Sequence, residues 1–206
     1  RYPIRFSHEH SQEVRGKASS DTGSKVSLAL PAAHMPEPAG RERVMIRRCF
    51  KADKLAICAI INDAAQAYEG RVAQHFLRDP YMPLTELEEE INTVAFYGHE
   101  EQGALEGIMG IEAVKDVTLL RHAYVRSTPQ RRGIGTTLLK HIISVTSTSR
   151  LLLGTWKNSW AVGFYLKHGF RPMPEPGRLL AEYWPRVPKA QADASVVLGI
   201  DFPAGA

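Results

Sequence analysis

The residues with the most chemistry to offer lie between Tyr124 and Gly135, in the order Tyr-Val-Arg-Ser-Thr-Pro-Gln-Arg-Arg-Gly-Ile-Gly. A β-type run, Val117 to Val125, leads into this stretch, and a helical apolar pattern, Ile134, Leu138, Ile142 and Val145, leads out of it. Strand, loop and helix start therefore meet here. The first N–H groups of a helix lack intrahelical partners and sit at the positive end of its dipole, so they suit phosphate oxygens. Gly133 and Gly135 let the backbone approach a ligand closely, while Arg131 and Arg132 add charge-assisted donors. The chemistry expected is the capture of a diphosphate.

Two other glycine-rich arrangements bind phosphate, and the sequence departs from both. A dinucleotide fingerprint needs a third glycine after Gly133 and Gly135 and an acidic residue at the end of the next strand. Here Leu138 stands in the glycine's place, and Leu151 to Thr155 carries no carboxylate. A P-loop needs Gly-Lys-Ser or Gly-Lys-Thr, which is absent. The order Gln130-Arg131-Arg132-Gly133-Ile134-Gly135 instead resembles the acyl-coenzyme A signature of the GNAT superfamily of N-acetyltransferases. A second block agrees with it. Asn158-Ser159-Trp160-Ala161 followed by Phe164-Tyr165-Leu166-Lys167-His168-Gly169-Phe170 is similar to that family's N-x-x-A and [FY]-Y-x-x-x-G-F patterns.

The resemblance covers roughly residues 44 to 200 and implies an α/β (mixed α+β) fold, a mostly antiparallel central sheet flanked by helices. It implies acetyl-coenzyme A as cosubstrate, held by Tyr124, Val125, Arg131, Arg132, Gly133, Ile134, Gly135, Thr136, Asn158 and Tyr165. It also implies two strands that splay apart to admit the coenzyme, and an acceptor pocket between the first elements. Tyr68, Tyr81 and Met82 are its candidate lining, with core packing as the equal alternative.

Acyl transfer from a thioester to an amine needs a neutral amine, a stabilised oxyanion and a proton for the departing thiolate. Backbone N–H near Val125 is the candidate for the second. Tyr165, placed by the second block near the coenzyme sulfur, is the candidate for the third, because a phenol is protonated at neutral pH. The base is left between Glu112 and His122. Regular alternation along Val117 to Val125 would set His122 on one face with Leu120 and Tyr124, and Arg121 and Ala123 on the other.

These groups must be positioned by the rest of the chain. Val44 to Phe50 alternates as a strand. Ala52 to Tyr68 follows as an amphipathic helix with Asp53 as N-cap and apolar positions including Leu55, Ile57, Ile60 and Ile61. Thr85 starts a short helix, with Glu88 in the capping-box position. The cluster Glu86, Glu88, Glu89 and Glu90 is either a solvated face or an attractor for a cationic amine.

Asn92 to Glu100, Leu105 to Val114 and Val117 to Val125 form an antiparallel meander. After the helix from Gly133, Leu151 to Thr155 is a strand. Asn158 then caps a helix, and Arg178 to Trp184 is a possible helical turn. Ser195 to Ile200 is a last strand, free to pair across a homodimer, and residues 201–206 are a frayed tail.

Residues 1–43 are polar and Pro-broken, which reads as an extension or linker. Its His8, His10 and His34 have no metal-ligand spacing, and no metal is expected anywhere. The chain has 206 residues, 44% hydrophobic and 23% charged, with formal net charge +4. These values suit one globular domain. The basic residues are scattered, which argues against nucleic-acid binding. Cys49 and Cys58 read as buried thiols of a reducing compartment, and no apolar stretch spans a membrane. A cytoplasmic protein is expected. The expected function is acetyl transfer to a small-molecule or protein amine. The competing readings are a coenzyme-binding sensor without catalysis and a transferase of longer acyl groups.

Overall fold

A computed structural model of the chain describes residues 44–128 and 133–203. The expectations for residues 1–43, including His8, His10 and His34, and those for Gln130, Arg131 and Arg132 lie outside the described residues. The strands are β1 (Val44–Arg48), β2 (Ala95–Glu101), β3 (Ala104–Val114), β4 (Val117–Val125), β5 (Arg150–Trp156), β6 (Arg171–Pro172) and β7 (Ser195–Asp201). The helices are α1 (Lys54–Ala65), α2 (Leu84–Glu90), α3 (Ile134–Val145), α4 (Trp160–Lys167), α5 (Pro176–Tyr183) and α6 (Lys189–Asp193).

One seven-stranded sheet runs in the order β1-β2-β3-β4-β5-β7-β6. Every pairing in it is antiparallel except that of β4 with β5. The expected mixed, mostly antiparallel sheet with flanking helices is therefore present. The meander forms because its two connections are tight: Gln102, Gly103 and Lys115 all take positive φ, the geometry that matches the twist of a hairpin.

α1 buries Ile57, Ile60, Ile61 and Ala64, spaced three and four residues apart, and α3 buries Ile134, Leu138, Leu139 and Ile142 in the same manner. Together with Leu119, Leu151, Leu152 and Leu153 they form the centre of the core. Leu55 falls outside the α1 stripe and is 65% exposed, contrary to its expected place.

Several end signals differ from expectation. Asp53, the last residue of a 3₁₀ turn (Lys51–Asp53), stands at the N-cap of α1 as expected, but its carboxylate makes no cap bond to the helix and accepts from the Phe50 N–H (2.8 Å) and the Arg47 guanidinium (2.8 Å). α2 starts at Leu84 behind Pro83, which fixes the entering backbone but has no side-chain acceptor. Glu88 is consequently not part of a capping box, and it binds Lys54 at 2.5 Å. Asn158 is exposed, and Ser159 is the residue that caps α4, its Oγ accepting from the Ala161 N–H (3.1 Å).

The possible turn at Arg178 to Trp184 is a two-turn helix opened by Pro176, and α6 follows it unforeseen. Asp201 is not frayed. It pairs with Arg150 in register and through a 2.5 Å ion pair. β7 lies between β5 and the two-residue β6, which pairs with it at Leu198 and Gly199. Among the described residues no helix is long and apolar enough to cross a membrane, and no group of three or more His, Cys, Asp or Glu is placed to hold a metal.

Candidate active site

β4 and β5 make only two parallel pairs, Thr118 with Leu151 and Leu119 with Leu152. Beyond Leu119 and Leu152 the strands part, and the sheet has a gap in its middle. A bulge in β4 follows. β3 pairs Ile108 with Tyr124 and Gly110 with Arg121, so Met109 alone opposes His122 and Ala123. His122 takes φ +48°, a left-handed conformation that histidine adopts more readily than β-branched residues. Gly110 makes the distortion possible, because a Cβ there would sit 2.6 Å from Val94 and 3.1 Å from the Arg121 carbonyl oxygen.

The bulge overturns the expected alternation of β4. Successive residues Arg121 and His122 both reach Glu90 at the end of α2, which regular pleating would forbid. His122 is buried, touches the Glu90 carboxylate and stacks on Phe96 with ring centroids 5.6 Å apart. Arg121 ion-pairs with Glu112 and lies 4.0 Å from Glu90. Of the two candidate bases, Glu112 is thus committed to a guanidinium, and His122 is backed by a buried carboxylate.

Glu90, part of the acidic cluster, has been drawn inward. Its signal in the sequence is its place three residues after Leu87, on the buried stripe of α2. Glu89, Glu90, Glu112, Arg121 and Trp184 line a cavity of about 380 Å³ that opens beside this group.

At the other end of the gap, the chain leaving β4 is firmly anchored. Arg126 N–H donates to the Glu106 carbonyl (2.9 Å) and its Nε to the Leu105 carbonyl (3.1 Å). Asp63 of α1 accepts from Ser127 N–H (2.7 Å) and Oγ (2.9 Å). No sequence pattern pointed to Asp63 or Ser127, because their association joins residues far apart in the chain.

Gly133 is the N-cap of α3 with φ +75°, and nothing lies within 4 Å of where its Cβ would be. Among the described residues no side chain crowds this position, and the N–H groups of Ile134, Gly135 and Thr136 belong to the first turn of the helix. Tyr124 and Val125 end β4 as buried residues.

Tyr165 lies on α4, 1% exposed, edge-on to Phe164 (5.1 Å) and Phe170 (5.4 Å). α4 packs against α3, with the Phe164 ring 3.6 Å from the position of a Gly135 Cβ. Burial pushes the Tyr165 phenol well above its ordinary pKa, so it holds its proton through and beyond neutrality. Burial likewise pushes the Cys49 thiol up to about 11, which removes it as a nucleophile.

The three acceptor-lining candidates are divided by the fold. Tyr68 and Met82 are fully buried; Tyr68 stacks on Trp160 at 5.5 Å and meets Tyr81 in a tilted contact at 5.6 Å. Asn62 fixes Met82 by accepting from its N–H (2.7 Å) and donating to its carbonyl (3.0 Å). Only Tyr81 borders open space, a cavity of about 440 Å³ shared with Asn62, Gln66, Arg78 and Asp79.

The fold has counterparts. Residues 91–172 match the family model described as acetyltransferase (GNAT) domain. No curated protein sequence matches the chain. Among solved structures, the chain is similar to the PaiA N-acetyltransferase of Thermoplasma acidophilum in complex with coenzyme A. The TM-score is 0.61 at 17% identity, over 78% of this chain and 99% of that one. It is also similar to the ribosomal-protein-S18-alanine N-acetyltransferase of Escherichia coli, with a TM-score of 0.57 at 16% identity over 79% and 97%.

A third similar structure is the N-acetylglutamate synthase of Neisseria gonorrhoeae, complexed with coenzyme A and N-acetyl-glutamate. There the TM-score is 0.56 at 21% identity, over 80% of this chain and 36% of that one. The family match falls on the segment that contains the bulge, the parted strands, Gly133 and Tyr165; residues 91–172 are similar to GNAT acetyltransferase domains, and the fold of the described residues agrees with that match.

Proposed function

We propose that residues 44–200 form an N-acetyltransferase that moves the acetyl group of acetyl-coenzyme A to an amine by direct attack. The observation that carries this reading is the parting of β4 from β5 after Leu119 and Leu152, beside a helix start capped by the left-handed Gly133. A gap in a sheet exposes N–H and C=O groups that the chain itself leaves unpaired, and an amide-bearing ligand is suited to meet them. The α3 N–H groups, with Arg131 and Arg132, would bind the diphosphate, and Tyr124, Val125 and Asn158 would hold the arm that follows. Acetyl-coenzyme A supplies an activated acyl group.

In this reading His122, supported by Glu90, takes the proton released when the amine nitrogen forms its bond to the acyl carbon. Backbone N–H at the end of β4 stabilises the oxyanion, and Tyr165 protonates the sulfur as the C–S bond breaks. Glu112 steadies Arg121 instead of acting as the base. The cavity at Glu90, Arg121 and Trp184 adjoins the proposed base and is the acceptor side of this scheme. Tyr81 borders a second way in. The acceptor class is a small-molecule or protein amine, and no metal takes part.

The test is release of free thiol from acetyl-coenzyme A across a panel of amines. Amine-dependent release is expected. Coenzyme binding by calorimetry with no release for any amine would favour the non-catalytic sensor, a reading that the near-complete burial of Tyr165 supports.

A further inference from the structure

The parted end of β5 contains hydrogen-bonding groups for which the fold has no use. Thr155 is 0% exposed, and among the described residues its Oγ has no hydrogen-bond partner; Trp156, 6% exposed, has an Nε1 likewise unpartnered among them. Most buried polar atoms in folded proteins are satisfied, so two failures on consecutive residues call for a cause. The strand itself is not distorted there. Thr155 pairs in register with Val196 and Trp156 with Ser195 on β7. On its other edge β5 pairs with β4 only at Leu151 and Leu152, so Thr155 and Trp156 lie where β4 has withdrawn.

Trp156 turns toward Phe76, ring centroids 4.9 Å apart, in the segment between α1 and α2. By the two-residue period of a strand, Thr155 turns to the opposite face. A hydroxyl can both donate and accept, so it suits a secondary amide or carbonyl equally.

We propose that Thr155 is a positioning residue whose hydroxyl bonds a polar group of the coenzyme's amide-bearing arm, fixing that arm in the gap between β4 and β5. This rests on the coenzyme reading above and adds to it a side chain outside both sequence blocks. The hydroxyl forms and breaks no covalent bond; it sets where the thioester stops.

The test compares wild type, Thr155→Val and Thr155→Ser in calorimetric titrations with coenzyme A and with ADP, which lacks the arm. Val keeps the branched shape and the strand preference of Thr. Thr155→Val should bind coenzyme A about 3- to 10-fold more weakly, the worth of one ordinary hydrogen bond. ADP affinity should stay within about 2-fold, and Thr155→Ser should track wild type. Without ligand, Thr155→Val should melt at or above the wild-type temperature, since it removes an unmet buried hydroxyl.

Unchanged coenzyme A affinity in Thr155→Val would overturn the proposal, as would equal losses for both ligands or a lower melting temperature without ligand. Failure of wild type itself to bind coenzyme A would overturn the underlying coenzyme reading, and is told apart by the first titration.

Discussion

Two threonines mark the contrast between the closed and open ends of the β4–β5 seam. At the closed end, Thr118 Oγ lies 2.9 Å from Thr148 Oγ, which in turn donates to the Arg150 carbonyl at 2.8 Å. Leu119, Leu151 and Leu152 fill the space around this base, all 0% exposed. At the open end, Thr155 is as deeply buried and its hydroxyl has no hydrogen-bond partner among the described residues. The same residue type on the same seam is satisfied where the fold needs closure and unsatisfied where the strands diverge. Folding is secured at the base; the far end keeps unspent hydrogen-bonding capacity, a bulge and a left-handed histidine.

If that division holds, changes at the open end should damage ligand binding or turnover more than stability, and changes at the paired end the reverse. The largest effect is expected from Gly133→Asp, which places a carboxylate where phosphate oxygens would approach. Coenzyme A affinity should fall at least about 100-fold by calorimetry. Gly133→Ala, which introduces only the strain of a side chain at φ +75°, should lower the melting temperature by about 2–8 °C, from about 1–2 kcal/mol of left-handed strain. Binding by Gly133→Asp at wild-type strength would break the comparison.

Next in size is Tyr165→Phe. Turnover should fall about 100-fold while coenzyme affinity changes less than about 3-fold. Because burial raises the phenol's pKa, the proton is retained as pH rises, and wild-type activity should show no alkaline loss attributable to Tyr165 up to about pH 10. A pH–rate profile of both forms checks this, and a shared alkaline limb would remove Tyr165 from the acid role.

His122 tests whether the bulge and the chemistry separate. Asn tolerates positive φ, so His122→Asn should keep the melting temperature within about 4 °C yet reduce turnover at least about 10-fold. His122→Val should also unfold about 3–10 °C lower, because a β-branched residue opposes the left-handed backbone at a cost of about 1–3 kcal/mol. Full activity in His122→Asn would leave the base elsewhere.

The smallest effect belongs to the paired region. Arg47 hydrogen-bonds Asp53 and holds its carboxyl below the usual carboxylate range. A depressed folded pKa adds stability above the unfolded value near about 4 and loses it as pH falls through the folded value. Asp53→Asn should therefore melt about 1–3 °C lower at pH 7, a gap that closes in acid, with activity unchanged. A constant gap across that range would show that the loss is one of packing.

Much of the scaffold could be read from local signals. The stripe Ile57, Ile60, Ile61 and Ala64, the tight meander turns and the strand, loop and helix around Gly133 each depend on neighbours a few residues away. What escaped reading depends on distant partners. Glu90, in a cluster that reads as a solvated face or an attractor for an amine, is drawn inward where β4 brings His122 against it, and regular alternation of β4 fails because a bulge opposite Met109 cancels the period of two. The cap bonds expected of Asp53 and Asn158 fail for a similar reason: Arg47 claimed the Asp53 carboxylate, and Ser159 stood one residue nearer the turn that needed an acceptor.

The amino-acid order by itself determined the family blocks, the periodicities of helix and strand, and the glycine at a helix start. All of these follow from geometry that repeats every two to four residues. Tertiary structure alone decided which carboxylate stands behind His122, where β4 leaves β5, and that Thr155 is sealed with no hydrogen-bond partner among the described residues. Those facts arise only when segments far apart in the chain compete for the same space and the same hydrogen bonds.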